Sequence, residues 1–177
     1  IHNTTHGVDG QLVEGNPLEG KGPFLALDLG GGSLDLAWIK KDLSIDYNRP
    51  MYSERIGVNT ALRAFKQAFD VKYKHLLRDA EDGIPRDVVL SIFMDESHQV
   101  NVAGEILDCT EMYNQSAAPV IRQMLRTVQQ FAQGFVGVGG ALLTGGGSAA
   151  FYDKIGEQVL PLFRKNGAIF RSAKLLQ

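Results

Sequence analysis

Apolar positions alternate with polar or small ones through FLALDL and again through LDLAWI, and together with the β-propensity of these residues this predicts strands over Phe24–Leu29 and Leu34–Ile39. A third strand is expected from about Ser44 to Arg55. The period then changes. Val58, Ala61, Leu62, Phe65 and Phe69 recur at helical spacing and predict an amphipathic helix over 58–70. Residues 70–108 are more polar. KYKHLLRDAED and PRDVVLSIFMDES read as two short helices or a helix and a strand, followed by extended chain in HQVNVAGEIL. Ala117, Val120, Met124, Val128 and Phe131 form a second helical stripe within about 112–133. ALLT reads as a short buried strand, GGG as a turn, and SAAFYDKIGEQVLPLF as a helix with Phe151, Ile155, Val159 and Leu162 on one face and Ser148 as its N-cap. A short strand near AIF closes the pattern.

A meander followed by helix, strand and helix implies an α/β domain with a mixed sheet. The expected organisation is a linker or connecting segment over 1–22, a main subdomain over 23–69 and 109–177, and a small inserted subdomain over 70–108. At 177 residues and 44% hydrophobic, the chain can bury the core this requires. The formal charge of −2 gives no reason to expect direct nucleic-acid binding or an anionic membrane. No apolar run approaches the ~18–20 residues of a membrane span. Cys109 is the single cysteine, which excludes an internal disulfide, suits a reducing compartment such as the cytoplasm, and reads as a small buried side chain. IHNTTHGVDG is neither a signal peptide nor an ordinary start, so a fragment of a longer protein is expected. Asn3-Thr4-Thr5 and Asn114-Gln115-Ser116 match the glycosylation triplet by chance composition.

The chemistry concentrates in two glycine clusters. Asp28, Gly30, Gly31, Gly32, Ser33 and Asp35 surround the turn between the first two strands. Glycines there let backbone N–H groups converge on one point, a nest that attracts phosphate oxygens. Two aspartates are poor neighbours for phosphate unless a cation lies between. Mg²⁺, held by one or two carboxylates together with substrate phosphates, resolves the conflict. Asp28 then faces the metal or its waters and is the catalytic candidate, while Asp35 shapes the turn or assists the cation. The second cluster, Gly145, Gly146 and Gly147, links a buried strand to a helix. A glycine turn there allows a flat ligand close to the backbone, with the helix N-terminus favouring negative charge.

Two motif matches fail on context. GGGSAA satisfies a relaxed dinucleotide pattern, but no acidic residue ends a following strand about 20 residues on. GNPLEGKG stops one residue short of a P-loop, because Gly22 stands where Ser or Thr is needed and a strand follows instead of a helix.

Taken together and in this order, DLGGGSLDLA and LLTGGGSAAFYDKI resemble the second phosphate hairpin and the adenosine motif of the actin superfamily of ATPases. The arrangement of hairpin, Gly57-Val58-Asn59-Thr60 helix start, insertion and long helix is similar to that of plasmid-segregation actins of the ParM type. The resemblance covers about 24–177. It implies an actin-like (ribonuclease H-like) ATPase subdomain with a mixed sheet flanked by helices and a small inserted subdomain. It implies ATP and Mg²⁺ as ligands, with Gly30–Gly32, Ser33, Gly145–Gly147 and Ser148 as contacts. It also implies an N-terminal half of the same fold as partner and self-assembly into filaments. The family's water-positioning residue lies upstream of the hairpin, where Glu14, Asp9 and His6 are candidates; its ribose contacts come partly from the inserted subdomain, and the resemblance assigns none of Lys72, Arg78 and Asp79 to them. A DnaK-type chaperone fragment, a small-molecule kinase of the same fold and a non-catalytic assembly module remain open.

Overall fold

The computed structural model describes residues 22–42, 44–77, 82–132, 140–159 and 168–171. Eleven elements are described: β1 (Phe24–Leu29), β2 (Leu34–Ile39), β3 (Tyr52–Glu54), α1 (Val58–Lys72), α2 (Arg86–Met94), β4 (Gln99–Val102), β5 (Glu105–Asp108), α3 (Thr110–Phe131), β6 (Gly140–Thr144), α4 (Gly146–Val159) and β7 (Ala168–Arg171). Five strands form one mixed sheet in the order β3-β2-β1-β6-β7, and β4 and β5 form a separate hairpin. β2 runs antiparallel to both of its neighbours, β1 and β3, while β1, β6 and β7 are parallel. The expected mixed α/β architecture is present.

Strand alternation sorts the sheet into two faces. Leu25, Leu27, Leu29, Leu34, Leu36, Trp38, Ala141 and Leu143 point to one face and join the main core with Val58, Ala61, Leu62, Phe65 and Phe69 of α1. Val120, Met124 and Val128 of α3 and Phe151 and Ile155 of α4 complete that layer. Phe24, Ala26, Ile39 and Leu142 make a smaller cluster on the opposite face. β1 is central and buried at every position except Asp28, which explains why it is apolar nearly throughout. Aromatic rings carry much of the main core. Phe93 meets Phe65 and Tyr113 edge-on, at 5.5 and 4.9 Å between centroids. Burying each such phenylalanine contributes about 1.5–3 kcal/mol.

Several expectations are corrected. The third strand is only three residues long. Asp42 accepts hydrogen bonds from the Ser44 backbone N–H and hydroxyl, and Asp46 accepts one from the Asn48 N–H. These local turns compete with ladder pairing and leave a single bridge, Ile39 to Ile45, before β3. KYKHLLRDAED forms no helix of its own: Lys72 ends α1, a turn closed by Leu76 N–H to Tyr73 O follows, and residues 78–81 lie outside the described residues. HQVNVAGEIL folds back as the β4–β5 hairpin, with Ala103 and Gly104 at positive φ in the turn. α2 packs into the main core through Val89, Ile92 and Phe93. α1 extends to Lys72 and α3 spans Thr110–Phe131, close to expectation. Leu162 lies outside the described residues, as do Glu14, Asp9 and His6. Cys109 is buried, and burial with the neighbouring Asp108 charge pushes its thiol pKa up, so it is an inert packing group.

Candidate functional site

β1 and β6 are parallel neighbours, so the segments that follow them leave the sheet at the same edge. That topology brings the two glycine clusters together. Asp28 pairs in register with Thr144 on one side and with Asp35 on the other. A Cβ placed on Gly145 would fall well under 3.0 Å from Asp28 Oδ1 and from Leu29 O, and one on Gly147 would lie 2.8 Å from Leu29 O and 2.9 Å from Gly30 O. Gly145 also has φ +85°, which only glycine adopts without strain. The turn before α4 is therefore glycine because the hairpin leaves no room for a side chain.

The hairpin tip is held from two directions. Gly30 N–H donates to Ser33 O at 2.8 Å and closes the turn. Gly30 O accepts from Val58 N–H and Gly31 O from Asn59 N–H, so the loop carbonyls satisfy the first amides of α1. No side chain caps that helix: Gly57 sits extended at the cap, where a Cβ would collide with the Gly31 carbonyl. Among the described residues, the N–H groups of Gly31, Gly32 and Ser33 have no backbone acceptor. Gly32 is exposed and has open space where a Cβ would stand.

Asp28 and Asp35 face each other across the strand pair, and both reach solvent. Ser33 Oγ donates to Asp35 Oδ2 at 2.9 Å, which ties Asp35 to the turn. Partial desolvation and then repulsion from Asp35 push the Asp28 pKa above its ordinary value. Two carboxylates at one sheet edge, one of them reluctant to ionise alone, form a donor set suited to a hard divalent cation that also takes phosphate oxygens. Among the described residues, no cluster of three or more His, Cys, Asp or Glu side chains stands ready for a metal held by protein alone. Beside the carboxylates lies a cavity of ≈ 630 Å³ bounded by Ala26, Ala37, Ile45, Met51 and Tyr52.

One sequence expectation at the site is corrected. Ser148 is not the N-cap of α4, which begins at Gly146. The Ser148 side chain is buried, and its hydroxyl donates to Gly145 O at 2.7 Å, bracing the turn from inside. Thr144, register partner of Asp28, was invisible as a site residue, because only the β1–β6 pairing places it there. Lys72 ends α1 with its ammonium over the Tyr73 ring, and Arg78 and Asp79 lie outside the described residues.

No protein-family model matches the sequence, and no curated relative matches it. The fold does match solved structures. The actin-like protein Alp7A superposes with a TM-score of 0.71 at 14% identity, over 98% of this chain and 47% of that one. The archaeal actin homologue Ta0583 in complex with ADP gives a TM-score of 0.60 at 18% identity, over 85% and 45%. A 15-stranded ParM filament from Clostridium botulinum gives 0.61 at 10% identity, over 83% and 40%. The chain spans less than half the length of each of these proteins. The likeness shows an actin-like fold, as the glycine motifs implied.

Proposed function

We propose that this chain is the nucleotide-binding part of an actin-like ATPase, of the filament-forming kind used in plasmid segregation or intracellular organisation. The observation that carries the reading is the abutment of Gly145 against Asp28. It brings the glycine hairpin tip, the Asp28–Asp35 pair and the glycine start of α4 to one end of the sheet, which supports a phosphate and cation site there. An actin homologue of the same fold, Ta0583, has been solved with ADP, and a ParM homologue has been solved as a filament, which supports nucleotide binding and self-assembly here.

In this reading the N–H groups of Gly31, Gly32 and Ser33 hold the β- and γ-phosphates of ATP. Gly30 contributes through the turn it closes and not through its own N–H, which Ser33 already occupies. Gly145–Gly147 would leave room for an adenosine against the backbone, in a turn that the Ser148 hydroxyl braces. Asp28, assisted by Asp35, holds Mg²⁺ or its waters. When bound, Mg²⁺ supplies neutralisation of the charge that develops on the transferring phosphoryl group. Everything the chain's own groups do is positioning. An N-terminal half of the same fold would supply the facing wall of the cleft and the residue that orients the attacking water. The described residues include no helix long and apolar enough to cross a membrane, and a cytoplasmic setting follows from this function.

The test uses the chain alone. Titration with a fluorescent ATP analogue is expected to give weak, saturable binding that ADP competes away, with negligible turnover. Robust ATP hydrolysis by the 177-residue chain, or no nucleotide binding at millimolar concentration, contradicts the reading. Pelleting with ATP against binding of an extended peptide separates it from a DnaK-type chaperone.

A further inference from the structure

The hairpin has a second side. Alternation places Asp28 and Asp35 on the face away from α1, whereas the tip residues Gly31 and Gly32 also border a cavity of ≈ 610 Å³ on the α1 side. Its walls carry Arg55, Arg63 and Arg86 together with Asn59, and among the described residues no acidic side chain lines it. Lys66 is at its edge but already committed: its ammonium bonds the Asp70 carboxylate at 2.8 Å and the Ile84 carbonyl at 2.9 Å, and also the Asp82 carbonyl. Among the described residues, no carboxylate pairs with the three guanidinium groups. Arg86 donates to Asn59 Oδ1 at 2.7 Å, which orients its fork beside the hairpin tip, and no ion pair is formed by Arg55 or Arg63 among the described residues.

We propose that this arginine-lined cavity is a binding site for a phosphoryl or pyrophosphoryl group, held by the Arg55, Arg63 and Arg86 guanidinium forks against the Gly31–Gly32 backbone. The cavity has the scale of a small-ligand pocket, not of a flat protein contact. Guanidinium groups match phosphate oxygens bidentately, which lysines in their place would not. Buried Leu62 and Val89 line the same cavity, while the three arginines are exposed and free to turn toward a ligand. The positive end of the α1 dipole adds to the same field, although the first two amides of that helix are already occupied by hairpin carbonyls. The site rests on the nucleotide reading, because the Gly31–Gly32 tip is shared with it, and adds three arginines as anchors that need neither Mg²⁺ nor the Asp28 carboxylate.

The experiment titrates the 177-residue chain with inorganic pyrophosphate in EDTA, and in parallel with ADP and with adenosine, for the unaltered chain and for Arg63→Ala, Arg86→Ala and Arg63→Lys. Each alanine substitution is expected to weaken pyrophosphate binding by about tenfold or more, and Arg63→Lys by less, because charge without the fork recovers only part of the contact. Lys40→Ala, at the far end of β2 from the tip, serves as the charge-loss control and leaves the affinity within about twofold. All three positions are part-exposed or exposed, and far-UV circular dichroism confirms folding. Arginine dependence of ADP but not adenosine binding identifies the phosphates of a nucleotide as the source; arginine dependence of pyrophosphate alone identifies a separate phosphoryl ligand. Absence of pyrophosphate binding to the unaltered chain, or an affinity indifferent to both alanine substitutions, overturns the proposal whatever ADP does.

Discussion

The two sides of the glycine hairpin are chemical opposites. One turns Asp28 and Asp35 toward a cavity walled by small and apolar side chains; the other presents Gly31 and Gly32 to a cavity walled by arginines. A β-hairpin has little substance of its own, yet this one separates fixed negative from fixed positive charge across a single pair of strands. The difference shows what the glycines are for. Gly145 and Gly57 are spacers that let backbone close against the hairpin from either side, whereas Gly31 and Gly32 keep its tip open to ligand.

Substitution separates those two roles. Gly145→Ala has the largest expected effect. It forces a side chain onto φ +85° and into the Asp28 carboxylate, and should destabilise the fold by about 3 kcal/mol in chemical denaturation. Gly57→Ala carries no backbone strain, since the residue is extended, but pushes against the Gly31 carbonyl; about 2 kcal/mol is expected from the same measurement. Gly32→Ala meets nothing within 4 Å and should change stability by less than about 0.5 kcal/mol. Equal costs at positions 145 and 32 would dissolve the distinction between spacer and ligand-facing glycine.

The smallest effect is the most telling about charge. Because the folded-state pKa of Asp28 lies above the ordinary 3.8, the folded chain binds its proton more tightly than the unfolded chain does. Ionised Asp28 therefore costs stability at neutral pH, and the cost disappears as pH falls through the raised pKa toward 3.8. Asp28→Asn should stabilise the chain at pH 7, by no more than about 0.5 kcal/mol because the carboxyl is well exposed, and the gain over the unaltered chain should vanish in acid. A gain that grows on acidification would mean that Asp28 has a stabilising partner.

Much of this was legible from residue pattern. The alternation of FLALDL and LDLAWI located β1 and β2 to the residue, because each strand packs one face on a helix layer and alternation records that directly. The glycine clusters located the hairpin tip and the start of α4. The third strand was overextended, since Ser44 and Asp46 were counted as strand residues although Ser44 bonds back to Asp42 and the Asp46 side chain bonds locally, turning the chain. Ser148 was given the cap because Ser is the favoured residue there, but Gly145 had already made the turn. The arginine cavity could not be read at all: Gly31, Arg55, Arg63 and Arg86 lie in four separate stretches, and only the docking of α1 and α2 beside the hairpin collects them.

The central claim is that the carboxylate side of the hairpin is a magnesium-nucleotide site, and one titration addresses it most directly. ADP is titrated into the unaltered chain and into Asp28→Asn, each with Mg²⁺ and with EDTA. The account predicts that Mg²⁺ tightens binding to the unaltered chain by about tenfold, near 1.4 kcal/mol, and that Asp28→Asn abolishes the difference. Affinity unaffected by Mg²⁺, or a magnesium effect that survives Asp28→Asn, would contradict it.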